Sequence, residues 1–255
     1  MQPPVSPPFA DRFIAHRGWR CRFPENTLVG IEAAIAAGAK HVEIDIQLSA
    51  DHVPILCHDK SLLRLCGRDL DINTLSHAQL AGFSAYEPER LGEQFLGTPL
   101  STLAECVAAI ESHPDVTLYV EIKRQSLRCF GADVLLHAVL PVLAPIRRHC
   151  LLISFDIDIL HHARRAGWET VAPVLSNLEQ LGETAILQLA PQMVFCDCDL
   201  LVGDNPLQQI PFPVAVYEID QYADAERWFG EGVALVESFS VGELIAFDKE
   251  VHHGG

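Results

Sequence analysis

Short apolar runs alternate along the chain with longer segments of helical period. That pattern predicts repeated βαβ units and a parallel sheet. Nine runs read as strands: 12–15, 41–47, 53–57, 118–122, 151–154, 171–175, 193–196, 214–217 and 233–236. Between the first two, residues 26–38 read as a helix. Leu28, Ile31, Ala34 and Ile35 form one face, Thr27 stands near the start and Gly38 supplies the stop. Segments 103–110, 131–142, 159–166 and 221–229 behave alike, whereas 60–100 is irregular and reads as an excursion at the rim after the third strand. With 255 residues, the length matches the roughly 250 of one (β/α)8 barrel. The reading is an α/β chain, a (β/α)8 TIM barrel spanning 1–255 as one domain, with 1–11 a flexible lead-in. Nine candidates compete for eight places, and the pattern does not say which is the extra.

Composition narrows the function. Hydrophobic residues make up 49%, as expected of strands buried on both faces. No run reaches the roughly 18 apolar residues of a membrane span. The formal charge of −16, from 34 acidic and 18 basic residues, argues against nucleic acid or an anionic membrane surface as partner. The proline-rich start has neither a basic nor an apolar signal region. The eight cysteines, several inside apolar strands such as Ile55-Leu56-Cys57, read as reduced core residues. Together these features point to the cytoplasm. The oligomeric state is not legible.

The chemistry collects at strand ends. In Val42-Glu43-Ile44-Asp45-Ile46, alternate side chains share a face, so Glu43 and Asp45 point into a barrel whose outer face is aliphatic. Val120-Glu121-Ile122-Lys123 repeats the logic. Inward carboxylates repel one another and lose solvation, so a cation must compensate. Three from two strands make an all-oxygen site for one divalent ion, Mg2+ or Ca2+, with Mn2+ a further candidate. His16 and His58 each close an apolar strand beside a polar partner, Arg17 and Asp59, and read as an acid–base pair. Arg17 offers a fork for phosphate oxygens and Lys123 a point charge. His161-His162 lies on an expected helix and His252-His253 on an expected frayed tail. Cys196-Asp197-Cys198 has the look of a soft-metal pair, but no second cluster completes it, and a strand end is the better reading. Glycine-rich nucleotide loops and a G-x-S-x-G elbow are both missing from the sequence.

These residues give the chain a resemblance. It resembles the glycerophosphodiester phosphodiesterase family through Ala15-His16-Arg17-Gly18, Pro24-Glu25-Asn26-Thr27, Glu43-Ile44-Asp45, His58-Asp59, the run Thr98 to Glu105, Glu121-Ile122-Lys123 and Ser154-Phe155. The resemblance implies a (β/α)8 barrel that hydrolyses glycerophosphodiesters to sn-glycerol 3-phosphate and an alcohol. It implies His16 and His58 as acid and base, and Glu43, Asp45 and Glu121 as metal ligands. Arg17 and Lys123 would be phosphate contacts, with Glu25 a support for the site. The C-terminal third departs from the pattern. Tyr217-Glu218-Ile219-Asp220 stands where the family has Trp-Thr-Val-Asn, and Gly232 to Ser238 lacks the family's Asp-Gly pair. The early Asp-Gly turn is Asp51-His52 here. Substrate choice is the property these departures touch. A lysophospholipase D-like enzyme, a hydrolase of another polar diester and a non-catalytic binding module remain as alternatives.

Overall fold

The computed structural model describes residues 8–201, 203 and 206–253. Nine strands follow in order: β1 (Phe13–Ala15), β2 (His41–Leu48), β3 (Pro54–Leu56), β4 (Thr117–Ile122), β5 (Cys150–Ser154), β6 (Val171–Leu175), β7 (Val194–Asp197), β8 (Val214–Tyr217) and β9 (Leu235–Ser238). Eight of them close a parallel barrel in the order β1-β2-β4-β5-β6-β7-β8-β9, with β9 pairing back onto β1. The extra strand is β3. It pairs antiparallel with the end of β2, Ile46 opposite Leu56, and takes no part in closure. An apolar run carries no sign of its direction, so the sequence alone does not single it out. The excursion thus leaves the barrel after its second strand. It has a small core of its own, built on Ile55, Cys57, Leu62, Leu65, Ile72 and Leu80.

Strand alternation sorts the side chains as expected. Val42, Ile44, Ile46, Leu118, Val120 and Ile122 pack outward against the helices. Ile14, Tyr119, Ile153, Val174, Met193 and Phe195 fill the barrel. The helix Leu28–Ala37 begins where Thr27 Oγ1 accepts the Gly30 N–H and ends at Gly38 in the left-handed conformation. Leu103–Glu111 starts with a reciprocal capping box between Thr102 and Glu105.

Three expectations are corrected. Of the expected lead-in, residues 1–7 lie outside the described residues, but Phe9 and Ala10 are tied down: Phe9 is buried, and the Phe9 and Ala10 N–H groups donate to the Asp248 carboxylate at 2.9–3.0 Å. His252 is not in a frayed tail but inside the helix Val241–His253, where its Nδ1 meets the Asp248 carbonyl at 2.8 Å. The last strand starts two residues later than its apolar run. The Val233 N–H is still closing the preceding helix on the Trp228 carbonyl, which moves Glu237 into the strand.

Candidate active site

The C-terminal ends of the strands surround a narrow cleft of about 130 Å³. Its lining includes His16, Arg17, Glu43, His58, Glu121, Lys123, Phe155, Phe195, Tyr217, Glu218 and Glu237. Six of the eight residues singled out from the sequence therefore share it. The other two, Asp45 and Glu25, are not in the lining. Asp45 is fully buried and receives Lys123 Nζ at 3.1 Å, Arg17 Nε at 3.2 Å and Asn26 Nδ2 at 2.9 Å. Glu25, expected as a support for the site, is buried among Arg17, Arg20 and Arg64.

Glu43, Asp45 and Glu121 offer oxygens that all lie within 4.8 Å of one another. Asp45 stands opposite Glu121 across the β2–β4 ladder, which is what brings two strands' carboxylates to one point. Burial raises the Glu43 carboxyl well above its ordinary range, helped by Asp45 and Glu237. Burial raises Glu121 too, against Lys123, whose ammonium is 2.8 Å away. At Asp45 burial is outweighed by Lys123 and Arg17, and the group is held well below the usual carboxylate range. Glu43 Oε2 accepts the Arg17 backbone N–H at 3.0 Å, while Oε1 is buried with no hydrogen-bond partner. A buried orphan carboxylate oxygen beside two more carboxylates is a donor set that fits a hard divalent cation.

The histidines differ in setting. His16 is buried, stacks on Phe239 at 4.6 Å and has Nε2 3.7 Å from Glu43 Oε2. Burial, then Arg17, drive its pKa well down, so the ring is neutral at pH 7. His58 is half-buried, and its Nδ1 meets Asp59 Oδ1 at 2.7 Å. Asp59 is held low, first by that hydrogen bond and further by Arg64.

Arg64 escaped the sequence reading. It forks onto both Glu25 oxygens at 2.6 and 2.7 Å and reaches Asp59 with Nε at 2.7 Å. It thereby joins the excursion to Glu25 and to the His58-Asp59 motif. Nothing in spacing marks it, because the contact spans 39 residues. Gln47 was legible, being the next inward position after Asp45, and its Nε2 donates to the His58 and Asp59 carbonyls. Arg17 and Asn26 adopt φ of 57° and 53°, left-handed conformations uncommon outside glycine and often found at functional sites. Gly18 has φ 78°, and a Cβ there would lie 2.9 Å from the Gly30 carbonyl carbon. This close approach lets the loop carrying His16 and Arg17 rest on the next helix.

A barrel with buried acids and two histidines lining a cleft at its C-terminal rim has the general form of a TIM-barrel hydrolase. The chain belongs to the glycerophosphoryl diester phosphodiesterase family, whose model matches residues 16–205. A bovine glycerophosphodiester phosphodiesterase 1 is 27% identical over 171 residues, 67% of this chain and 50% of that protein. A mouse lysophospholipase D is 40% identical over 77 residues, 30% of this chain and 23% of its own. The chain spans about half the length of the first of these curated relatives. Among solved structures, an Oleispira antarctica phosphodiesterase in complex with the product sn-glycerol-3-phosphate superposes with a TM-score of 0.81 at 24% identity, covering 93% of this chain and 96% of that one. A Thermotoga maritima glycerophosphodiester phosphodiesterase gives 0.70 at 22%, covering 93% and 98%. At such identities these two likenesses speak to the fold.

Proposed function

We propose that the chain hydrolyses glycerophosphodiesters to sn-glycerol 3-phosphate and an alcohol. The observation that carries this reading is one cleft holding two histidines, an arginine, a lysine and a buried acidic cluster. Glu43, Asp45 and Glu121 would hold one divalent ion, Mg2+ or Ca2+ before Mn2+. When bound, that ion supplies charge neutralisation and orientation of the phosphate. Arg17 and Lys123 bind phosphate oxygens and keep the anion in a cleft of an otherwise acidic protein. His16, neutral because it is buried, accepts the proton of the attacking hydroxyl. His58, tied to a carboxylate through Nδ1, presents its other nitrogen and donates a proton to the departing alkoxide.

Chelated protein should lose diesterase activity and regain it with added Mg2+, Ca2+ or Mn2+. Full activity without metal would remove this reading. A lysolipid substrate is the second reading, favoured by Leu63, Leu70 and Leu96, large exposed apolar side chains that all lie in the 60–100 excursion. Faster turnover of a lysophospholipid than of its deacylated diester would select it. Among the described residues no single helix is long and apolar enough to cross a membrane. A cytoplasmic setting remains part of the proposal, supported by the burial of five of the eight cysteines.

A further inference from the structure

The two histidines of the cleft are fixed by different means. His58 has a carboxylate on Nδ1, Asp59 at 2.7 Å. That is the usual arrangement for a working imidazole, whose second nitrogen is held so that the first faces its target. His16 has no such partner. Its Nδ1 is buried and, among the described residues, without a hydrogen-bond partner. Its Nε2 is 3.7 Å from Glu43 Oε2, beyond hydrogen-bond length. With neither nitrogen held, hydrogen bonding does not set the turn of the ring about χ2, a broad torsion on its own.

An aromatic face meets His16 instead. The His16 and Phe239 rings lie within 10° of parallel, their centroids 4.6 Å apart. Phe239 is in turn fixed through its main chain. Its N–H donates to Asp220 Oδ1 at 2.9 Å, and its carbonyl accepts the Cys21 N–H at 2.9 Å. Asp220 Oδ1 also accepts the Ser238 hydroxyl at 2.7 Å and the Ser240 N–H at 3.2 Å. The residues on both sides of Phe239 are thereby held.

Two more side chains of the His16 loop touch the same ring. The guanidinium carbons of Arg20 and Arg17 lie 4.3 and 5.7 Å from its centroid. Neither depends on it. Arg20 has Glu25 at 2.7 Å. Arg17 has Asp45 at 3.2 Å and Glu25 at 3.3 Å, and at 5.7 Å it is close to the roughly 6 Å limit of a cation–π contact. Loss of the ring therefore falls on His16 and leaves the phosphate contacts in place.

We propose that Phe239 is the positioning residue of His16, its ring doing for this imidazole what a hydrogen-bonded carboxylate does for His58. This rests on the diesterase reading above and holds whichever of the two proton-transfer roles His16 takes.

The test measures kcat and KM for glycerophosphocholine at saturating metal in the wild type, Phe239→Leu, Phe239→Tyr, His16→Ala and the variant carrying both His16→Ala and Phe239→Leu. Phe239→Leu should lose about 10–100-fold in kcat with KM little changed. Phe239→Tyr keeps a flat face and should recover most of that loss. In the His16→Ala background Phe239→Leu should cost nothing further, because a residue acting through His16 has nothing left to position. A substitution that merely loosened the rim would cost rate in both backgrounds. Phe239 is half-buried, so a smaller apolar residue is tolerated; should the leucine variant not fold, Phe239→Met removes the flat face equally. Wild-type kcat in the folded variant, or the same loss with and without His16, overturns the inference and leaves the diesterase reading standing. A His16→Ala enzyme as fast as the wild type overturns it as well. A wild type that cleaves no glycerophosphodiester with any of the three metals overturns both readings.

Discussion

Glu43 and Asp45 are two residues apart on one strand, yet neutralising them should move the metal-free protein in opposite directions. Asp45 has Lys123 Nζ at 3.1 Å and Arg17 Nε at 3.2 Å. At an effective dielectric of about 20, each contact is worth about 5 kcal/mol of attraction, much of it offset by desolvation. Asp45→Asn removes both and turns an amide N–H2 toward two cations. Breaking a buried pair costs about 3–5 kcal/mol. The lower end applies, because Lys123 keeps Glu121 at 2.8 Å and Arg17 keeps Glu25 at 3.3 Å. A loss of about 3 kcal/mol lowers the melting temperature by about 6–12 °C in a chain of this size. Glu43→Gln keeps an acceptor for the Arg17 N–H and removes a carboxylate that burial, Asp45 and Glu237 all disfavour. Its effect should lie between zero and about 1 kcal/mol of stabilisation. Calorimetry in chelator at pH 7 measures both. The stabilisation gained on adding Mg2+ should shrink in both variants, since each loses a ligand. If Asp45→Asn is as stable as Glu43→Gln without metal, the assignment of the two cations to Asp45 is wrong.

Three further outcomes are expected. His16→Ala and His58→Ala should each lose about 10²–10⁴ in rate on an alkyl diester. A nitrophenyl diester should rescue His58→Ala alone, and rescue of His16→Ala instead would reverse the roles. Arg64→Lys should lower kcat about tenfold or more, since a lysine cannot fork onto Glu25 while bridging Asp59. It should also move the acid limb of the pH profile upward, because Asp59 loses one of the groups that hold it low; an unchanged profile would mean that Arg64 only fills space. Burial raises the thiols of Cys57 and Cys150 and pushes Cys66, Cys106 and Cys196 up to about 12. The folded state keeps these protons where the unfolded chain, near 8.5, gives them up. Stability should therefore be full below that pH and fall above it by up to about 1.4 kcal/mol per unit per thiol. Urea midpoints at pH 8 and 10 measure this, and a flat response refutes it.

The acidic cluster was legible because strand alternation is a local rule. Glu43, Asp45, Glu121 and Lys123 follow from two short stretches whose aliphatic partners say which face is outward. Gln47 obeys the same rule one step further on. What stayed hidden depends on how distant segments meet. Arg64 reaches Glu25 across a fold of the chain that no spacing encodes. Glu237 was left out of the last strand because Val233 looks like strand but its N–H still closes a helix, on the Trp228 carbonyl. The direction of β3 was hidden because an apolar run reads the same in a parallel or an antiparallel pair. Glu25 was recognised as belonging to the site, but its place outside the cleft lining depends on Arg64, which meets it from a distant segment alongside Arg17 and Arg20.

The pairing of β1 with β9 sets an order of events during synthesis. The acidic cluster on β2 and β4 lies wholly within the first half of the chain and needs only neighbouring strands to form. His16 is different, because its N–H donates to the Ser238 carbonyl at 3.0 Å and its ring stacks on Phe239. Until a ribosome has made those residues, one of the two histidines has no floor beneath it. The loop closed at that moment spans more than two hundred residues, a contact slower to form than pairing between neighbouring strands. A nascent chain would hold the acids of the site before it could hold His16, and the cleft would be completed in one late step, with the seam.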